Sequence, residues 1–173
     1  AREIVRFNGQ PNRARELVDE IRMLVSTRPS LYSDPGDLMV IGRLALLTGA
    51  EPKDVLTRVF DVVKKADPKL RDVYLARGEL ALGKHDFDLA AKAFAEGLKE
   101  HPDDPDLHHG MALAFADGDR EQMAASLEAA LKTNPRHVPS LLLLADHRID
   151  AEDYPAATKL LDEIKAVNPW NPD

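Results

Sequence analysis

The chain has no cysteine, and aromatic residues make up only 5% of its 173 residues. The absence of cysteine excludes a disulfide framework, a thiolate nucleophile and a cysteine-based zinc site. Long runs of β-branched and aromatic residues, which favour strands, are also missing. The apolar residues are mostly Ala and Leu, which favour helices, as do Glu, Lys and Arg. The composition therefore predicts a mostly helical protein.

Basic blocks and long apolar segments are missing as well. The net charge is −7, from 30 acidic and 23 basic residues. Without a basic patch there is no electrostatic footprint for nucleic acid or for an anionic membrane surface, so neither is an expected partner. No stretch approaches about 18 apolar residues, and the first residues lack the apolar region of a signal peptide. We therefore expect a soluble protein of the cytoplasm.

Four prolines recur at a nearly constant spacing. Pro68, Pro102, Pro135 and Pro169 are separated by 34, 33 and 34 residues. Each follows an amphipathic run, as expected at the end of a helix, because proline cannot continue a helix and restricts the residue before it. A fixed period of this length indicates a repeat architecture.

Each period divides into two helices. In the clearest one, Tyr74 and Gly78 share one face of a first helix, and Asp86 is placed to cap a second helix. Phe94 and Leu98 lie on the apolar stripe of that second helix. The same pattern predicts nine helices, near residues 12–27, 37–48, 52–66, 70–82, 86–100, 105–116, 120–133, 138–150 and 153–167.

This unit resembles the tetratricopeptide repeat, a helix–turn–helix of 34 residues that closes with proline. The matching residues are Tyr74, Gly78, Ala90, Phe94 and Pro102 in one copy, Met111, Ala112, Phe115, Leu127, Ala130 and Pro135 in the next, and Leu141, Leu144, Ala145, Tyr154, Ala157, Leu161 and Pro169 in the last. A weaker copy has Leu44, Ala45, Leu56, Phe60 and Pro68.

The resemblance implies an all-α fold, a right-handed α-solenoid of stacked antiparallel helix pairs. It implies one repeat domain over residues 1–173, with a partial unit at 1–36 and repeats near 37–70, 71–104, 105–137 and 138–171. Solenoids usually end in a polar capping helix. Neither end of the sequence shows one, so we expect the chain to be a piece of a longer protein.

Some positions depart from the family pattern. Arg77 stands where the family prefers Leu, and Arg148 where it prefers an aromatic residue. In the weak copy the pair Leu44–Ala45 is displaced by one residue against its second helix. This displacement predicts a short turn near the segment TGAEP.

The segment HPDDPDLHHG, residues 101–110, suggests either a metal site or the junction between two repeats. Pro102 ends one helix, Asp104 is a good N-cap, and Pro105 suits a first helical position. His108 and His109 are adjacent on a helix and so point about 100° apart, which prevents them from chelating one ion together. We interpret the segment as a repeat junction and expect no metal.

No other constellation carries chemistry. His85–Asp86 lacks the further ligands of a metal phosphohydrolase, and the segment HRIDAED fits a solvated helix end. The sequence has no HExxH pair, no GxSxG elbow and no phosphate-binding glycine loop. We therefore expect neither a catalytic activity nor a cofactor.

A stack of this family curls into a superhelix whose inner wall is formed by the first helices, and its members usually bind peptides there. The candidate wall is mostly apolar with some acids, so we expect a ligand with apolar anchors and a positive charge. The lysines and asparagines with which chaperone-binding members hold a terminal carboxylate are absent. The candidate peptide-binding residues are Leu75, Glu79, Asp106, His109, Leu113, Leu142 and Asp146.

The function expected from this pattern is a non-catalytic protein–protein interaction scaffold with a protein or peptide partner. The alternative is a recruiting or regulatory appendage of a larger enzyme whose catalytic domain lies outside this chain. We also expect weak self-association, because Trp170 would have little to pack on in a monomer.

Overall fold

The computed structural model describes Glu16 and residues 34–47 and 49–167. Glu16 is helical, but the rest of the predicted helix at 12–27 lies outside the described residues, as does Trp170. The described part of the chain contains helices and connecting turns and no strand. This confirms the expected all-α fold.

Eight helices follow one another in the described residues, at the places that the sequence predicts. The first two are α1 (Pro35–Leu47) and α2, which comprises Pro52–Val55, a π-helical turn at Leu56–Phe60, and Asp61–Ala66. The others are α3 (Arg71–Leu82), α4 (Phe87–Glu100), α5 (Pro105–Phe115), α6 (Arg120–Thr133), α7 (Val138–Asp150) and α8 (Tyr154–Val167).

Aspartates cap five of the described helices. Asp34 and Asp153 accept from backbone N–H groups in the first turns of α1 and α8. The side chains of Asp86, Asp104 and Asp119 accept hydrogen bonds from backbone N–H groups in the first turns of α4, α5 and α6. These N–H groups have no partner inside the helix, so the caps satisfy them and stabilise each helix by about 1 kcal/mol. The predicted caps Asp86 and Asp104 are confirmed.

The turn near residue 50, predicted to be short, lies partly outside the described residues, so its length stays a prediction. Gly49 has φ +85°, a left-handed conformation that suits glycine after a helix end. An irregularity lies in α2, where the Asp61 N–H donates to the Leu56 carbonyl and forms the π-helical turn.

The described residues divide into two compact units, one up to Leu80 and one from Ala81. In the first unit Gly42 allows α1 to approach α2, because a Cβ there would lie 2.7 Å from the buried Phe60 ring. Arg77, which replaces the family's Leu, is mostly buried, and its Nε lies 3.5 Å from Asp61 Oδ1. An ion pair thus accounts for a charged residue at an apolar position.

In the second unit, second helices are covered by first helices. A Cβ at Gly110 of α5 would overlap the ring of Phe94, which is 1% exposed on α4. Leu127 of α6 is also 1% exposed and shares a core with Ala112 and Met123. Leu143 and Leu144 of α7 pack against that core. The apolar stripes of α4 and α6 are thus each buried under the first helix that follows.

Candidate functional site

An apolar groove lies between α1 and α3 in the first unit. Its volume is about 440 Å³. Val40 and Leu47, two turns apart on α1, remain 57% and 51% exposed, so the groove opens to solvent. The lining residues are Val40, Arg43, Leu44, Leu46, Leu47, Phe60, Ala76, Glu79 and Leu80. Exposed apolar side chains collected in one groove are typical of a binding surface.

One ion pair joins the two walls of this groove. Arg43 Nη1 of α1 donates to Glu79 Oε2 of α3 over 2.8 Å, and the two side chains are 30% and 55% exposed. An exposed pair of this kind contributes at most about 1 kcal/mol to stability. Glu79 keeps more of its surface open than Arg43 and therefore remains accessible to a ligand.

The sequence pattern missed Arg43 as a lining residue. α1 and α3 begin at residues 35 and 71, an offset of 36, so Arg43 occupies in α1 the place that Glu79 occupies in α3. The proline spacing instead suggests that equivalent residues of neighbouring repeats lie 34 positions apart, so it does not pair Arg43 with Glu79. The groove therefore has a basic residue beside the acid that the sequence predicted.

The predicted site residues Leu75 and Glu79 both lie on α3, but only Glu79 lines the groove. Leu75 is 8% exposed and belongs to the core. A side chain so deeply buried contributes to packing. Leu75 therefore offers little surface to a ligand.

A hydrogen-bonded chain joins α5 to the start of α7 in the second unit. His137 Nε2 lies 2.9 Å from Asp106 Oδ1, and His137 Nδ1 lies 2.8 Å from Ser140 Oγ. Because a carboxylate only accepts, Nε2 carries a proton, and in the neutral ring Nδ1 accepts from the serine hydroxyl. These hydrogen bonds connect Asp106 of α5 with the start of α7, because His137 lies 31 residues after Asp106 and directly before α7.

This Asp–His–Ser arrangement does not form a hydrolytic site. A base next to a serine hydroxyl can activate it as a nucleophile, but only if the substrate reaches the oxygen. Ser140 is fully buried in the first turn of α7, and His137 is 7% exposed. The chain therefore acts as a structural link between helices.

His109 lies against this link. Its ring makes an edge contact with the His137 ring at a centroid distance of 5.7 Å. The pKa of His109 is lowered to about 4, first because burial removes water from the ring and second because of the charge on His137, whereas Asp106 opposes the shift. His109 is therefore neutral near pH 7, and its buried Nδ1 has no hydrogen-bond partner among the described residues.

The remaining predicted residues lie on the same two helices. Leu113 of α5 and Leu142 of α7 are half-buried, and Asp146 of α7 is exposed. Asp106 and His109 come together around His137, which the sequence pattern missed. The sequence signal for His137 was its spacing to Ser140, three residues away at the start of a predicted helix.

Solved structures with the same architecture are found by comparison. MamA of Desulfovibrio magneticus RS-1, residues 41 to the end, is 17% identical, with a TM-score of 0.67 and coverage of 95% of this chain and 98% of that chain. TTC0263, a thermophilic TPR protein of Thermus thermophilus, is 16% identical, with a TM-score of 0.75 and coverage of 92% of this chain and 86% of that chain. This chain has a tetratricopeptide-like fold.

The yeast Sti1 TPR2AB domain, solved in complex with pHSP90, is a third neighbour of this tetratricopeptide-like chain. It is 19% identical, with a TM-score of 0.53 and coverage of 91% of this chain and 72% of that one. No protein-family model matches the sequence, and no curated protein does. The likeness is therefore one of fold.

The junction segment of the tetratricopeptide-like chain has the predicted structural role. Asp104 caps α5, Pro105 is its first residue, and His108 Nε2 lies 2.8 Å from the Pro102 carbonyl oxygen. Among the described residues, no cluster of three or more His, Cys, Asp or Glu side chains could hold a metal ion. None of the helices that the structure describes has the length and apolarity needed to cross a membrane.

Proposed function

We propose that this chain is a non-catalytic protein-interaction module whose groove between α1 and α3 binds an apolar segment of a partner protein. The observation that carries the proposal is the exposure of Val40 and Leu47 on one wall of this groove. Burying such side chains under a ligand contributes about 25 cal/mol for each Å² removed from water. A helix or an extended segment with one or two large apolar anchors fits a groove of this volume.

The charges in the groove favour a basic residue beside the apolar anchor. Glu79 is more exposed than Arg43, so a ligand lysine or arginine can share its carboxylate. Arg43 offsets part of this attraction, so the charge sets orientation and contributes little affinity. An acidic ligand tail would meet Glu79 and is disfavoured.

The neighbours support a role in protein binding. The Sti1 domain was solved as a complex with pHSP90, which supports a protein-binding role for this architecture. We propose the same general role for this chain, with a ligand chosen by its own groove.

We expect Leu47→Asp to weaken the binding of peptides selected from a random display library by about tenfold or more, because it places a charge where the apolar anchor lies. Binding would be measured by fluorescence anisotropy on the intact chain. Val62→Asp is the matched control, since Val62 of α2 is 48% exposed in the same unit and does not line the groove. Equal losses in both variants would contradict the groove assignment.

We expect Glu79→Lys to weaken a peptide with a basic residue next to its anchor by about three- to tenfold, which corresponds to about 1 kcal/mol. The substitution places a second positive charge beside Arg43. The loss should shrink in high salt, because the charges are exposed. Isothermal titration of a basic and a neutral peptide, with Glu79→Gln as the control, measures the effect; an equal loss for the neutral peptide would argue against charge recognition.

Other sequence predictions stay predictions. Leu113, Leu142 and Asp146 of the second unit are proposed to contact a peptide ligand. We also propose weak self-association through Trp170, a cytoplasmic location and, as the alternative function, a role as an appendage of a larger enzyme.

A further inference from the structure

Two opposite charges face each other across the groove between α1 and α3. Arg43 and Glu79 are the ninth residues of these two helices, and Arg43 Nη1 lies 2.8 Å from Glu79 Oε2. Among the described residues that line the groove, they are the only charged ones. The other lining residues are apolar, so the ion pair is the one place in this lining where charge can distinguish between ligands.

The ion pair uses only part of the hydrogen-bonding capacity of its two side chains. A guanidinium group has several N–H donors, and both oxygens of a carboxylate accept hydrogen bonds. The bond between the two residues joins one guanidinium nitrogen, Nη1 of Arg43, to one carboxylate oxygen, Oε2 of Glu79. Both side chains are also partly exposed. Each of them can therefore bind a further charged group while the bond between them stays intact.

The apolar lining on α1 has the spacing of a helical stripe. Val40, Leu44 and Leu47 lie at positions i, i+4 and i+7 and extend over about two turns, or about 10 Å. A groove between two helices accepts a third helix, because the side chains of the third fit between the ridges of the other two. A ligand helix with an apolar stripe of the same spacing would cover Val40 and Leu47, which are the most exposed apolar residues of the lining.

We propose that the groove selects a partner helix whose apolar stripe is flanked by a basic residue on one side and by an acidic residue on the other. The basic residue pairs with Glu79 on α3, and the acidic residue pairs with Arg43 on α1. The four charges then alternate in sign, whereas a ligand with two like charges meets one repulsive contact. Because this selection takes place in the groove, it rests on the function proposed above.

Four synthetic helical probes of about four turns test this selection. Each carries leucines at positions i, i+4 and i+7 and is held helical by a side-chain staple opposite them. The two residues that flank the leucines are lysine and glutamate in the mixed probe, two lysines in the basic probe, two glutamates in the acidic probe and two glutamines in the neutral probe. By fluorescence anisotropy, we expect the intact chain to bind the mixed probe with a Kd of about 10–100 µM, and the basic and acidic probes about three- to tenfold more weakly. Added salt should reduce these differences.

Charge reversals in the chain should change which probe binds most tightly. Arg43→Glu should prefer the basic probe, and Glu79→Arg should prefer the acidic probe, because each leaves two like charges in the groove. The double variant Arg43→Glu, Glu79→Arg restores an ion pair with exchanged signs and should again prefer the mixed probe. Arg58→Glu is the matched control, because Arg58 is exposed, pairs with Asp54 on α2 and does not line the groove. This control should keep the preference of the parent chain, and circular dichroism verifies that each variant is folded.

Equal affinities of the four probes would overturn the charge selection and leave the groove as a binding surface. An unchanged preference in Arg43→Glu would do the same. If no probe binds up to about 1 mM, the neutral one included, the function proposed for the groove is wrong, and the charge selection with it. A dimer in sedimentation that the mixed probe dissociates and Arg43→Glu abolishes would show that a second copy of this chain occupies the groove, and would overturn a partner helix as its ligand.

Discussion

Phe94→Ala is expected to lower the free energy of unfolding by about 3–5 kcal/mol, because the fully buried ring fills the space between α4 and α5 and its loss leaves a cavity. Denaturant unfolding followed by circular dichroism measures the change. Leu161→Ala is the matched control at the equivalent place on α8. Since Leu161 is 44% exposed, its loss should cost about 1 kcal/mol or less.

Gly110 makes the same contact testable from the other side. Gly110→Ala is expected to cost about 1–3 kcal/mol, because its methyl group would overlap the Phe94 ring. In the double variant Phe94→Ala, Gly110→Ala, the new methyl group enters the space that the ring has left. The double variant should therefore lose less unfolding free energy than the two single variants together, by about 1 kcal/mol or more. Strict additivity would show that the two residues do not pack against each other.

The stability of the chain is expected to fall between about pH 6.5 and pH 4 by about 2 kcal/mol, because of His109. Its pKa is lowered from 6.5 to about 4 in the folded chain by burial and by the neighbouring His137. As the pH falls through this window, His109 binds a proton in the unfolded chain but stays neutral in the folded chain. The stabilisation is therefore complete above pH 6.5. The expected loss of stability is smaller than the shift in pKa alone would give, because the His109 ring is partly solvated.

His109→Leu should flatten this part of the pH profile of unfolding, measured in denaturant at several pH values. His85→Asn is the control, because His85 is exposed and lies at φ +56°, a conformation that asparagine tolerates. An unchanged loss of stability in His109→Leu between pH 6.5 and about 4 would contradict the assignment to His109.

The helices and their caps could be predicted from the sequence because their causes are local. Proline at a 33–34-residue period ends the second helices, and Asp86 and Asp104 stand where a cap is needed. The π-helical turn in α2 could not be predicted. The pattern showed a one-residue mismatch near Leu44, and an inserted residue inside a helix resolves such a mismatch as readily as a changed turn does.

The candidate site could be predicted only in part, because its contacts join residues far apart in sequence. Glu79 was predicted as a ligand residue, but its partner Arg43 is 36 residues away on another helix. Asp106 was predicted as a ligand residue too, and its partner His137 is 31 residues away. Residue type and helical phase indicate a face of a helix, whereas the partner across that face depends on how two helices are placed.

Mapping by nuclear magnetic resonance would show whether the groove between α1 and α3 binds a protein segment. A peptide selected from a random display library against the intact chain would be titrated into the isotope-labelled protein. We predict that the largest shift changes fall on Val40, Leu44, Leu47 and Glu79, which line the groove. If a selected peptide leaves the shifts of these residues unchanged, the groove between α1 and α3 is not its binding site.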